Sequence, residues 1–444
     1  MFRLPKDTEI NEEILKDFLN KHAVLVAERY KPLENMYMSN HEILEMDEKP
    51  AYKPDNRIVV NFAKYIVDTM DGFFIGNPVK VSARDDANID DYVMFLSRYS
   101  NLDDINAELS KICSIFGSGY EMYYADEESE LCVIHLRPTE AFIIYDESIL
   151  ERPMFFVRRY KDKDGKERGS ISSASEVRYF FYTDGKATWE GEWESHFFQG
   201  VPATEYIGNE ERQGLFEPVI SMINAFNKAI SEKANDVDYF ADAYLKILGA
   251  EADEESRKNI RDNRIINFEQ GERDGREIIV EFLEKPNADQ SQENLIDRLE
   301  QLIFQISMVA NLTDFDFGSS SGIALKYKLQ SMSNLAKVKE RKFTAGLVRR
   351  YKILFSHPSS RVSEDAWVQL TYRFTQNVPS NELEESQIAR NLEGVVSKKT
   401  QLKVLSVVDN AKDELEQIKD DNKNLIGNTG MLPYSQEDWV NGDE

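Results

Sequence analysis

Asp316, Phe317 and Gly318 spell the triplet with which protein kinases hold magnesium, and Asp314 stands two residues before it. A kinase also needs a glycine-rich strand loop, a strand lysine and an HRD catalytic loop. None of these occurs in the sequence. Asp314 and Asp316 as a carboxylate pair suit a hard cation, but such an ion asks for more oxygen ligands than this stretch supplies. Phe116-Gly117-Ser118-Gly119 echoes a phosphate loop, yet it lacks the GK[ST] ending and runs into strand-like residues, so it reads as a turn. The five histidines, His22, His41, His135, His196 and His357, show no metal-ligand spacing. Cys113 and Cys132 form no CxxC pair, which fits a reducing compartment. The expectation is a protein with no catalytic residue, no metal and no cofactor.

Composition narrows the class further. The 444 residues exceed what one core organises, so several sub-structures are expected. With 41% apolar and 30% charged residues the chain reads as folded. Its formal net charge of −26 argues against a protein that grips DNA by neutralising phosphates, though not against one that DNA merely passes through. No apolar run approaches a membrane span and the first residues are too polar for a signal peptide, so synthesis in the cytoplasm and no membrane contact are expected.

The elements follow from periodicity. Ile10, Ile14, Phe18, Leu25 and Leu33 predict amphipathic helix between about 9 and 39, and the stretch after Pro54 predicts a helix ending near Gly72 to Gly76, with more helix to about Phe116. From Tyr120 to Tyr206 short alternating runs predict one antiparallel meander, with hairpin turns at Asp164-Gly165 and Asp184-Gly185. Val219, Ile223, Phe226, Ile230 and Val237 then line one face of a long helix, and Leu295, Leu299, Leu302, Ile306 and Val309 repeat in a 4-3-4-3 rhythm along another. A small α/β insertion lies between these two. A Ser/Gly-rich loop leads to a helix of about 34 residues from Gly322 to Phe355, roughly 50 Å long. A strand after Pro358 and three short helices from Ser380 to about Asn422 complete the chain.

Three long segments carry a resemblance: NRIVVNFAKYIVDTMDGFFIGNPV, GVPATEYIGNEERQGLFEPVISMINAFNKAISEKANDVDYFADAYL, and VQLTYRFTQNVPSNELEESQIARNL. In this order they resemble the portal proteins of long-tailed phages of Gram-positive hosts, over nearly the whole chain. The resemblance implies a mixed α+β, elongated subunit: a wing (1–216, with a returning strand at 365–376), a first stem helix (217–240), a clip (241–286) and a second stem helix (287–311). A tunnel loop (312–322), a long helix (323–357), a helical crown (380–422) and a C-terminal tail (423–444) follow. It further implies a closed homo-oligomeric ring, usually of twelve copies, at one capsid vertex of the virion. The implied partners are the terminase large subunit, a head-completion adaptor, major capsid and scaffold proteins, and double-stranded DNA in the channel.

On this reading Asp314, Asp316, Gly318, Ser319, Ser320, Ser321 and Gly322 form a DNA-facing loop, the plain alternative being a flexible linker. Arg257, Lys258, Arg261, Glu272 and Arg273 in the clip are expected to dock partners. Residues 320–355 hold nine basic residues against the single acid Glu340, so they carry +8 while the remainder carries −34. Lys337, Lys339, Arg341, Lys342, Arg349 and Arg350 are therefore expected to meet acidic surface of neighbouring subunits, the alternative being a solvated helical face. Two other classes compete: a capsid connector or scaffold without a channel, and a nuclease or phosphotransferase. The order of stem, loop and long helix speaks against the first, and the lack of a convergent set of acid, base or metal residues against the second.

Overall fold

The computed structural model describes residues 1–6, 8–50, 53–83, 86–183, 185–241, 245–248, 279–282, 289–312, 327–377, 382–405, 407–408 and 411–429. The chain is mixed α and β and divides into two compact units, one of residues 1–320 and 324–377, the other of 321–323 and 378–444.

The larger unit opens with β1 (Phe2–Leu4), α1 (Glu12–Leu25), a π-helical segment (Val26–Tyr30) and α2 (Lys31–Tyr37). Asn11 caps α1 by accepting the Ile14 N–H at 2.9 Å. After an extended stretch, Asn61 caps α3 (Phe62–Ile75) in the same way, through the Lys64 N–H at 2.8 Å. Next come β2 (Lys80–Ala83), α4 (Ala87–Ser100) and α5 (Leu102–Phe116). Gly117 ends α5 at φ +84°, and a Cβ there would stand 1.9 Å from the Arg212 carbonyl oxygen, so only glycine fits. The glycine turn expected after Phe116 is thus a helix cap feeding a strand.

The expected single meander is two sheets. Strands β5 (Ala141–Asp146), β6 (Pro153–Lys161), β7 (Glu167–Ser172), β8 (Glu176–Thr183) and β9 (Lys186–Ser195) form the antiparallel part of a six-stranded sheet, and β1 adds to β5 in parallel. Strands β3 (Ser118–Ala125) and β4 (Leu131–Leu136) stand apart, because β10 (Ala203–Ile207) folds back onto β3 with Ala203 opposite Met122. Gly165 at φ +77° and Gly185 at φ +71° occupy the two expected hairpin turns.

Helix α6 (Ile220–Ala241) follows a short 3₁₀ turn at Glu217–Val219. Strands β11 (Leu245–Leu248) and β12 (Ile279–Phe282) then pair antiparallel, Leu245 opposite Phe282, so the first and last strands of the expected insertion meet. Helix α7 (Asp289–Ser307) and α8 (Gln330–Phe355) come next. The returning strand is shorter than expected: 366–369 is a 3₁₀ turn, and β13 (Leu370–Arg373) pairs antiparallel with β2, within a stretch read from sequence as helix. Side chains from α4, β3, β4, α8 and β13 share one core that includes Leu96, Tyr123, Val133 and Leu354. Gly346 lets α8 approach β10, since a Cβ there would lie 2.3 Å from the Tyr206 ring.

The smaller unit contains α9 (Glu382–Asn391), α10 (Lys398–Leu402) and α11 (Ala411–Thr429). Gln401 ties α10 to α9 by donating to the Ala389 carbonyl at 2.7 Å. The last helix runs past the expected end near 422, so the tail assigned from 423 begins as helix.

Candidate functional site

Helix α6 carries the apolar face expected of it only in its first half. Val219, Ile223 and Phe226 are buried, but Val237 is 64% exposed. Beyond Phe226 the buried residues are polar, namely Asn227, Ser231 and Asn235 at fourfold spacing. Each receives one backbone N–H from the extended stretch before α3. Asn235 Oδ1 accepts from Asn56 at 2.6 Å, Ser231 Oγ from Ile58 at 2.9 Å and Asn227 Oδ1 from Val60 at 2.9 Å. The match is geometric: alternate residues of an extended chain repeat every ~6.6 Å, and every fourth helical residue every ~6 Å. His41 completes the ladder by facing the Asn227 side-chain amide at 3.0 Å. Apolar periodicity hides this contact, and its only sequence signal was the spacing of Asn227, Ser231 and Asn235.

Helix α7 packs on α6 through Ile296 and Ile303, while Phe304 meets Phe62 and Tyr65 of α3 edge-on at 5.7 and 5.5 Å. Gln292 donates to Asp236 across the pair at 3.2 Å, and Lys233 pairs with Glu293. The 4-3-4-3 row is split: Val309 is buried and Leu299 and Leu302 are half-buried, while Leu295 and Ile306 are 52% and 42% exposed. Val237, Met308 and Leu312 are further exposed apolar residues on or next to the two helices. The end of the pair is fixed. Tyr65 accepts the Leu312 N–H at 2.8 Å, and the Ala310 N–H points at the Met332 sulfur at 3.5 Å. Ala310, just after α7, is thus held to Met332 of α8.

On α8 the basic residues divide into two sets. Lys339 is buried and donates to Asp71 at 2.6 Å and to the Ser110 carbonyl at 3.2 Å, with Ser114 beside it. Three turns later Arg350 is fully buried and clasps Glu121, also buried, through both carboxylate oxygens, with Asn106 at 2.6 Å. Burial alone would lower the Arg350 pKa, but the Glu121 carboxylate overrides it and raises it well above the usual arginine value. Arg349 donates to the Ala203 and Val201 carbonyls at 3.3 and 3.4 Å, and burial depresses it. Lys342 pairs with Glu210 at the surface. The expectation that Lys339 and Arg350 face a neighbouring subunit therefore fails, because their charges are neutralised inside their own unit. Lys337 and Arg341 are exposed.

Asp314, Asp316, Gly318, Ser319, Ser320, Ser321 and Gly322 lie outside the described residues, as do Arg257, Lys258, Arg261, Glu272 and Arg273. Among the described residues no group of three or more His, Cys, Asp or Glu side chains is placed to hold a metal ion, and no helix is long and apolar enough to cross a membrane. Burial pushes the Cys113 thiol up to about 12, so it is held as a neutral core group.

Residues 16–427 match a known family, described as phage portal protein, SPP1 Gp6-like. The chain belongs to this phage portal family. The portal protein of Clostridium phage phiCD119 is 23% identical over 421 residues, covering 88% of this chain and 90% of that protein. The portal protein of Bacillus phage SPP1 is 22% identical over 393 residues, covering 83% of this chain and 76% of that protein.

Proposed function

We propose that the chain forms a closed ring at a capsid vertex and serves as the conduit for double-stranded DNA during packaging and ejection. In this reading 1–216 with β13 is the wing, 217–240 and 287–311 are the stem, 241–286 the clip, 312–322 the tunnel loop, 323–357 the long helix and 380–422 the crown. The observation that carries it is the exposed apolar residues of α6 and α7. Leu295 and Ile306, spaced for helix packing, are uncovered on α7 and Val237 on α6, which fits helices that meet another copy. A repeated head-to-tail contact closes into a ring when its rotation closes.

The proposed tunnel loop, 312–322, fits that role because Ala310 before it is held to Met332 and its sequence includes Asp314, Asp316 and three serines. An acidic chain would let duplex DNA slide with few lasting contacts. The clip, with Arg257, Lys258, Arg261, Glu272 and Arg273, is the proposed docking face for the terminase large subunit and the head-completion adaptor. Of the basic residues proposed to meet a neighbour, Lys337 and Arg341 are the exposed ones.

Native mass spectrometry tests the assembly: twelve copies of 51.3 kDa give about 616 kDa. A species within one subunit of that mass supports the ring. Monomer alone at every salt and protein concentration overturns it.

A further inference from the structure

Ile149 and Leu150 are the most conspicuous misfits on the surface of the six-stranded sheet. They form the tip of the β5–β6 connection, with relative exposures of 102% and 68%. Exposed apolar tips are usually loose, but this one is built. The Asp146 carboxylate accepts from the Ser148 hydroxyl at 2.7 Å and the Arg152 N–H at 2.8 Å, and the Asp146 N–H returns to the Arg152 carbonyl at 2.9 Å. Glu151, at φ +44°, donates its N–H to Ser148 and pairs through its side chain with Arg3. The loop thus presents two apolar side chains in a fixed conformation between Glu147 and Glu151, a low-entropy arrangement suited to insertion.

A matching cleft of about 710 Å³ lies beside the π-helical turn. Its apolar part comes from Ala23, Val26, Ala27 and Leu136, and the short alanine side chains leave it open. The extra residue per turn in a π-segment displaces the helix surface, and such bulges recur where something binds. The rim is basic. Lys161 has no carboxylate within ion-pair distance among the described residues, whereas Arg158 lies over the Tyr160 ring at 4.9 Å, Arg159 is held by Glu167 and Lys31 by Glu34. Glu140 also lines the cleft. Lys161 beside an apolar floor complements an apolar tip next to Glu147, the Glu151 carboxylate being held by Arg3.

We propose that the Glu147–Glu151 loop of one copy docks in this cleft of the next. The loop enters β6 at Pro153 and the cleft uses Arg158 to Lys161 further along the same strand, about 17 Å away in extended chain. A loop cannot fold into its own cleft across that span. Donor and acceptor at two ends of one strand make a head-to-tail contact, the kind that builds rings. The proposal rests on the ring reading above and adds to it a second, outer contact distinct from the helix pair.

The test is a cross-link between copies in the full chain. Leu150→Cys with Ala27→Cys, in a Cys132→Ser background that leaves only buried Cys113, should give a ladder of multimers on a non-reducing denaturing gel. Either cysteine alone should give none. Ile149→Asp, which alters only an exposed tip, should raise the concentration needed for assembly at least tenfold. Glu147→Lys should do so less strongly and be rescued by Lys161→Glu. Rings that form normally in Ile149→Asp, or that contain the cysteine pair without cross-linking, overturn the loop contact and leave the ring reading intact. A wild-type protein that stays monomeric under all conditions removes both.

Discussion

His22 and Arg350 show two ways in which a single side chain commits this fold. His22 is 1% exposed, donates to the Pro138 carbonyl at 2.7 Å and lies 4.6 Å from the Phe142 ring. Burial, opposed by that hydrogen bond, lowers its pKa from 6.5 to about 4. A depressed histidine contributes stability that is complete above its unfolded value and lost as pH falls from 6.5 towards 4. Protonation then costs on the order of 3 kcal/mol in all, with roughly 2 of it gone by pH 5. Urea unfolding of wild type and His22→Gln at pH 7 and pH 5 checks this, the variant showing the smaller acid loss. Arg350 is the opposite case, a charge kept by its partner. Arg350→Met leaves Glu121 buried without a counter-charge and is expected to cost about 3–5 kcal/mol. Adding Glu121→Leu should recover much of that. A double-mutant cycle by guanidinium unfolding with no coupling would show that the pair is incidental. Neither role was legible in the sequence, where Lys339 and Arg350 belong to one run of positive charge and only burial separates them from Lys337 and Arg341.

At the scale of elements, helices α3, α6 and α7 were readable as helices from their apolar spacing, although in α6 and α7 only part of that spacing is what packs. The β-region was read without β7 and β10 and as one meander where there are two sheets. Nothing local tells β10 to return to β3, and β1 and β2 are too short to outweigh neighbouring helical periodicity. The polar ladder was missed for a different reason. Asn227, Ser231 and Asn235 look like a solvated face until the chain at 56–60 is laid against them. Hydrogen exchange gives the ladder a distinctive signature: amides of Asn56, Ile58 and Val60 should be protected while those of Arg57 and Val59 exchange faster. Ser231→Ala should speed exchange at Ile58 before its neighbours and cost about 1–3 kcal/mol. Uniform protection along 56–60 would mean that the side-chain acceptors are not what holds the segment.

For the whole molecule, the linear plan was the most legible feature, since a long helix, a small insertion, a second helix, a polar loop and a long basic helix in sequence follow from length and periodicity alone. The charge pattern misled, because the +8 of the long helix is partly spent within its own unit and only part of it reaches solvent. One further consequence concerns the clamp between Ala310 and Met332 at the base of the loop. Once the two ends of a loop are fastened, lengthening it costs only chain entropy, about 0.6 kcal/mol for each doubling. The helices on either side need not move to accommodate an insertion. On the proposed reading of 312–322 as a tunnel loop, bore and frame would be separate targets for selection, and the width of the channel could change without a redesign of the ring that carries it.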